Sequence, residues 1–349
     1  MKKQYDVFKI CLFISVLFLC WSCSRLMKKV KDPGDGKIIG NNIAIIYSSH
    51  YQINLGGLEK LHPFDIHKYA KIYKELAHKN VIKSEHIYVP DIISRENIQR
   101  VHSNEFLNSL KKSYNVAVYL EAPIIAKLPV KIVENGVLKP FQYAVGGTLL
   151  ASRLALQFGI GINIGGGFHH AKPDKGEGFC VFADIPIAVK TLKAEKKVKK
   201  ILIIDLDVHQ GNGTVVCLAD DKDVFTFSMH QKDIYPVPKE KSSLDIGLER
   251  GTDDTEYHNI LHSHLNELFK HSDPDIVYLI AGCDTLAGDE LGSLQMTENG
   301  IIERDTMVID ACYKRNIPVV MTLGGGYSKN AWKVQFNSIC HIIQTFSQK

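Results

Sequence analysis

The stretch Asp205-Leu206-Asp207-Val208-His209 carries two carboxylates and an imidazole at alternate positions. On an extended backbone, residues two apart share a face, so Asp205, Asp207 and His209 point one way while Leu206 and Val208 point the other. That donor set suits a hard-to-borderline cation such as zinc. Buried carboxylates are costly without a cation or strong donors beside them. Taken alone, the same residues also suit helix-capping acids and a surface histidine. A second stretch, Ala281-Gly282-Cys283-Asp284, offers one more carboxylate straight after an apolar run. Asp284 is either a helix cap or a third ligand. Three protein ligands would leave a coordination position open for water and substrate, as in catalytic zinc sites.

Two glycine runs accompany these acids. Gly165-Gly166-Gly167-Phe168 leads into His169 and His170, and Gly324-Gly325-Gly326 leads into Tyr327. Glycines let a backbone bend tightly and approach a neighbour. Taken alone the adjacent histidines also suit a polar surface loop, a reading that the glycine run directly after a strand disfavours. The Tyr327 hydroxyl could donate to a developing oxyanion, or its ring could plug a loop.

All four stretches follow apolar runs of strand length. Residues 43–47, 159–164, 201–206, 224–228, 276–281 and 317–323 read as strands. Residues 63–78, 141–157, 186–198, 257–271, 301–314 and 329–346 carry helical spacing. Repeated strand–helix units with near-continuous apolar strands imply a single-domain α/β fold. Its sheet would be open and mainly parallel, with helices on both faces. Ligands bind at the carboxyl ends of such strands, where the four stretches sit.

The rest of the sequence bounds the function. With 349 residues, 45% apolar content and 23% charged content, the chain is ordinary globular material. A net charge of +4 argues against a direct nucleic-acid binder. The lysine run 193–200 reads as a solvated helix end. Residues 1–24 combine early lysines, a short apolar run and Ser22-Cys23. They fit a signal peptide, possible lipoprotein leader or N-terminal membrane anchor. This points to an exported or membrane-associated protein, the alternative being a cytoplasmic or nuclear one. Residues 25–42 read as a linker and 43–349 as the catalytic domain. Five scattered cysteines beyond the leader form neither a zinc-finger spacing nor a disulfide framework. Free thiols suit a reducing compartment, in tension with export.

Together, G-G-G-F-H-H, D-L-D-V-H-Q-G-N-G, A-G-C-D and G-G-G-Y resemble the histone deacetylase family, over residues 43–343. Segment 51–65 and Gln210-Gly211-Asn212-Gly213 resemble its class IV branch. The resemblance implies an arginase/deacetylase-like fold and zinc-dependent hydrolysis of acyl-lysine amides on a protein or peptide. It implies zinc on Asp207, His209 and Asp284, and His170 as general base and later acid. It also implies electrostatic help from His169, with Asp205 setting that ring's tautomer. Asn212 stands where many relatives pair an aspartate with the second histidine. Tyr327 would stabilise the oxyanion, and Gly178 and Phe179 would wall the lysine tunnel. A structural potassium ion is implied near Asp205, Asp207, His209, Ser228 and Met229. The class IV likeness suggests long fatty-acyl lysines as better substrates than acetyl-lysine. Two other readings stand: an amidohydrolase of the same fold acting on small acetylated amines, and a non-catalytic binding protein. Arginase-like chemistry lacks its Asp-x-His-x-Asp stretch here.

Overall fold

Eight strands among the described residues pair into one sheet, and every pairing is parallel. The computed structural model describes residues 36–348. The expected leader, 1–24, and linker residues 25–35 lie outside them. The strands are β1 (Ile43–Ile46), β2 (Ile87–Tyr88), β3 (Ile160–Asn163), β4 (Ile201–Asp205), β5 (Val224–Gln231), β6 (Leu244–Leu248), β7 (Ile276–Ile280) and β8 (Val319–Thr322). Their order is β2-β1-β3-β8-β7-β4-β5-β6. Every residue of β1, β3, β4, β7 and β8 is buried. That is why these runs are near-continuously apolar up to their last residue rather than alternating: both faces are covered.

The covering helices are α1 (Lys68–His78), α2 (Lys139–Phe158), α3 (Asp184–Ala194), α4 (Asn212–Leu218), α5 (Asp254–Ser272), α6 (Glu298–Tyr313) and α7 (Ala331–Phe346). One group packs α2 against α3, with α2 also on β1 and β3. The other packs α7 against α1 and α6, and α5 against α6. The expected open parallel sheet with helices on both faces is the fold observed. Among the described residues, no helix is long and apolar enough to cross a membrane.

Boundaries differ where side chains intercept the backbone. The helix expected over 63–78 begins at Lys68. His62 Nδ1 accepts from the Phe64 N–H at 3.0 Å and Asp65 Oδ1 from the His67 N–H at 3.0 Å. Such local bonds compete with a helical turn. Within the linker as read, Ile39 already pairs with Ile43 and is buried. Lys193 and Lys200 of the lysine run each pair with an acid, Asp221 at 2.5 Å and Asp273 at 2.8 Å.

Candidate active site

Strands β3, β8, β7 and β4 are consecutive neighbours in the sheet. Being parallel, they end on one edge, and their four following loops meet there. Asp207, His209 and Asp284 are all buried. One donor atom from each lies within 4.8 Å of the others. Asp207 Oδ1 accepts from the His209 N–H at 3.0 Å and Oδ2 from the Gly325 N–H at 2.7 Å. Asp284 Oδ1 accepts from the Val208 N–H at 2.9 Å. Its Oδ2 has no hydrogen-bond partner and lies 3.3 Å from His209 Nδ1. Burial, then the Asp207 charge, push the Asp284 carboxyl up to about 7. A cation beside Oδ2 would counter both. Gly325 keeps the space open, since a Cβ there would stand 2.1 Å from that oxygen. The residues therefore fit a bound divalent metal.

Beside this triad lie the two histidines, with ring centroids 4.0 Å apart. His169 Nδ1 is 2.8 Å from Asp205 Oδ2. Burial alone would lower this imidazole, but Asp205 and Asp207 outweigh it and hold it up at about 9. His170 Nδ1 is 2.7 Å from Asn212 Oδ1. Burial and the His169 and His209 rings push His170 well below its usual value. The acids beside the first ring thus favour its charged form, and burial favours the neutral form of the second.

An aromatic collar surrounds the centre. Tyr327 stands edge-on to His209 at 6.2 Å and to Phe179 at 6.0 Å between centroids. Burial, then Asp284 and Asp207, raise its hydroxyl far above the ordinary tyrosine value, so it stays a proton donor. His62 meets Phe179 at 4.6 Å, and Tyr235 meets His170 at 4.9 Å. Gly178 and Phe179 occupy a tight turn closed by Glu177 and Cys180, both with positive φ, 54° and 64°. A Cβ on Gly178 would come 2.5 Å from His170 Cδ2, so this wall presses against the ring. Ser228 stands opposite Asp205 across the β4–β5 pairing, its hydroxyl 2.9 Å from His230 Nδ1. Met229 beside it is fully buried.

A family model described as the histone deacetylase domain matches residues 62–343. The chain belongs to the histone deacetylase family. Its chemistry is therefore the hydrolysis of amides. It is 40% identical over 302 residues to Histone deacetylase 2 of Arabidopsis thaliana, covering 86% of this chain and 78% of that one. Over 272 residues it is 39% identical to an uncharacterised protein of Picosynechococcus, covering 77% and 88%. It is 29% identical to the acetoin utilization protein AcuC of Staphylococcus aureus, covering 80% and 76%. The crystal structure of the HDA15 HD domain shares the fold, with a TM-score of 0.70 at 20% identity, covering 87% and 91%.

Sequence reasoning missed the residues of this histone deacetylase family member that hold the loops in place. Lys68, fully buried at the start of α1, donates to the Gly324 and Gly325 carbonyls at 2.9 and 3.1 Å. Its ammonium lies 4.5 Å from the Phe64 ring centroid. Asp184 accepts from the Gly167 and Phe168 N–H groups at 2.9 and 2.8 Å, fixing the approach to His169. Arg304 is fully buried in α6 and pairs with Asp305 at 2.7 Å. Its Nη1 also donates to the carbonyls of Leu206 and Gly282, at 3.1 and 2.9 Å. Those residues lie next to Asp207 and two before Asp284, so one guanidinium ties both ligand loops together. Arg304→Met leaves Asp305 an uncompensated buried charge. It is expected to cost about 3–5 kcal/mol of stability in urea unfolding. A loss under about 1 kcal/mol would deny Arg304 that role.

Proposed function

We propose that this family member is a zinc-dependent lysine deacylase of the class IV type, acting on acyl-lysine side chains of proteins or peptides. The observation that carries this reading is the buried Asp207–His209–Asp284 triad, with the unpartnered Asp284 Oδ2, beside a neutral His170 and a protonated Tyr327. A zinc ion held by the triad would polarise the amide carbonyl and make water more acidic. The other steps fall to the protein. His170 takes the proton from the attacking water and returns it to the lysine amine as the C–N bond breaks. Charged His169, held by Asp205, supplies a fixed positive field. Tyr327 donates to the oxygen that gains negative charge. Phe179 and the Gly178 backbone line the lysine stem. Asp205, Asp207, His209, Ser228 and Met229 would hold a structural potassium ion where β4 and β5 end. Class IV rests on the segment 51–65 and on Gln210-Gly211-Asn212-Gly213.

A cavity of about 280 Å³ beside the collar supports the longer-acyl reading. Leu58, Phe64, Leu120, Ile125, Phe141 and Phe168 are among its walls. Phe168 directly precedes His169. His62, also in the wall, touches Phe179, and Phe64 meets Tyr327 at 6.1 Å. The cavity's walls thus border the collar through His62 and Phe64, and its apolar lining is of a kind an acyl chain longer than acetyl would fill. Each further methylene buried there contributes about 0.8 kcal/mol, roughly a fourfold gain in kcat/KM. Acyl-lysine peptides of rising chain length, with acetylated polyamines beside them, test the reading. The expected result is kcat/KM that climbs from acetyl to medium-chain peptides, is abolished by chelation and returns with zinc. Turnover of the polyamines alone would overturn the assignment.

A further inference from the structure

The second histidine is paired with an asparagine, and an asparagine side chain is ambiguous in a way a carboxylate is not. Its amide presents an oxygen on one side and an NH2 on the other. With the oxygen toward His170, Nδ1 of that ring must carry the proton and Nε2 is free to accept one. Flipped by 180°, the NH2 faces Nδ1, which must then accept. The ring proton moves to Nε2, and the base is disabled. Something has to choose between the two orientations. Asn212 Nδ2 donates to Glu177 Oε1 at 2.6 Å, while Asn212 Oδ1 faces His170 Nδ1 at 2.7 Å. A carboxylate can only accept, so Glu177 admits the NH2 and rejects the oxygen.

Glu177 is itself braced. Its Oε2 lies 2.6 Å from Lys175 Nζ, and its Oε1 lies 3.4 Å from Lys172 Nζ. Lys172 is shared with Glu240 at 3.1 Å. The backbone of Glu177 exchanges both hydrogen bonds with Cys180, closing the turn that carries Gly178 and Phe179. The lysines and the Asn212 amide outweigh partial burial and keep the carboxyl below its ordinary value. Its side chain is 19% exposed, near enough to the surface for the lysines to stay solvated.

We propose that Glu177 is a positioning residue for the deacylation reaction: it fixes the orientation of the Asn212 amide and thereby the Nδ1-protonated tautomer of His170. The inference rests on the reading of His170 as general base given above.

A double-mutant cycle tests it on the metal-loaded full chain. Glu177→Ala is expected to lower kcat at least about tenfold with KM little changed, because acid–base catalysis is lost from the misoriented fraction. Glu177→Gln keeps an acceptor but also brings an NH2 that a flipped Asn212 oxygen can accept from, so it should recover only part of that loss. The deciding comparison uses Asn212→Asp. The carboxylate introduced by that substitution accepts from His170 with either oxygen and needs no orienting partner. In Asn212→Asp alone the new carboxylate faces Glu177 across the contact the NH2 held at 2.6 Å, so adding Glu177→Ala should cost no further turnover and should recover what that like-charge contact removed. Ring-nitrogen NMR of His170 gives a readout independent of turnover: the Nδ1–H signature of the parent protein should weaken in Glu177→Ala. Glu177→Met, which keeps the stem but no acceptor, serves in the same cycle if the alanine variant does not fold.

An equal loss in the parent and Asn212→Asp backgrounds would overturn the proposal, as would a loss confined to KM or no loss at all. The broader reading fails in a different way. If the unaltered protein turns over no acyl-lysine peptide, the His170 assignment falls. If the unaltered protein turns over the peptide and Glu177→Ala matches it, only the positioning role falls.

Discussion

His170→Ala is expected to lower kcat on an acyl-lysine peptide by about 10²–10⁴-fold, the usual contribution of a positioned acid–base group. The bound-metal content should stay at the parent level. His170 is not one of the three residues whose donor atoms converge, so its removal should leave the metal in place. The ring is buried and held neutral at neutral pH, the state a base requires. It is fixed by Asn212 on one side and by the Gly178 turn on the other. Alanine removes the proton carrier and leaves those supports standing. Steady-state kinetics together with metal analysis separates the outcomes. Turnover within about threefold of the parent would remove His170 from the proton path. Loss of metal along with turnover would mean that the ring acts on the ligands instead.

Tyr327→Phe is the second large effect, an expected fall in kcat of about 10²–10³-fold with KM nearly constant, the range for losing one oxyanion donor. The backbone of this loop does not depend on the hydroxyl. Asp289 Oδ2 accepts from the Tyr327 and Ser328 N–H groups at 2.8 and 3.0 Å, and Lys68 holds the carbonyls of Gly324 and Gly325. Phenylalanine thus keeps the ring in the collar and deletes one donor. Burial, the largest influence on that hydroxyl, keeps it protonated across the working pH range, even where a bound cation offsets the Asp284 and Asp207 charges. The variant's loss should accordingly be the same at pH 7 and pH 9. A loss that vanishes as pH rises would show that the hydroxyl acts by ionising, and the oxyanion role would fall.

The parts of the fold that were legible in the sequence are those where one physical demand dominates. Strands β3, β4, β7 and β8 are buried on both faces, so each reads as an apolar run, and the polar residues after each run stand out. Strand β6 is mostly part-exposed at the sheet edge and carries Asp245 and Gly247. With little apolar signal it reads as loop. Strand β2 is two residues long, too short for any pattern. The short helices Arg95–Gln99 and Asn104–Ser109 are set by the Ser94 and Ser103 caps more than by apolar spacing. In the candidate site, the residues proposed to react stood out because acids and histidines at strand ends are unusual. Their supports were hidden for the opposite reason. Lys68, Arg304 and Asp184 occupy helices, where a charged residue ordinarily marks the wet face or a cap. Only the tertiary structure shows that Lys68 and Arg304 are turned inward onto carbonyls. Glu177 lies in a stretch with Lys172, Asp174 and Lys175, and nothing in that charge pattern singles it out.

The placement of the triad also ties metal binding to the order of assembly. Asp207 and His209 follow β4, and Asp284 follows its sheet neighbour β7. Gly325, which binds Asp207 Oδ2, follows β8. β8 in turn pairs with β3, which precedes it by nearly half the chain. Parallel pairings of this range form late, after the chain has met the loop-closure cost. A partly paired sheet offers the ion isolated carboxylates and no enclosed centre. A metal held by the triad would stabilise the state in which β4, β7 and β8 are paired, by mass action on that state. Depleting the metal would remove more than a reagent, because it would lower the free-energy gap separating the finished molecule from its unfinished forms.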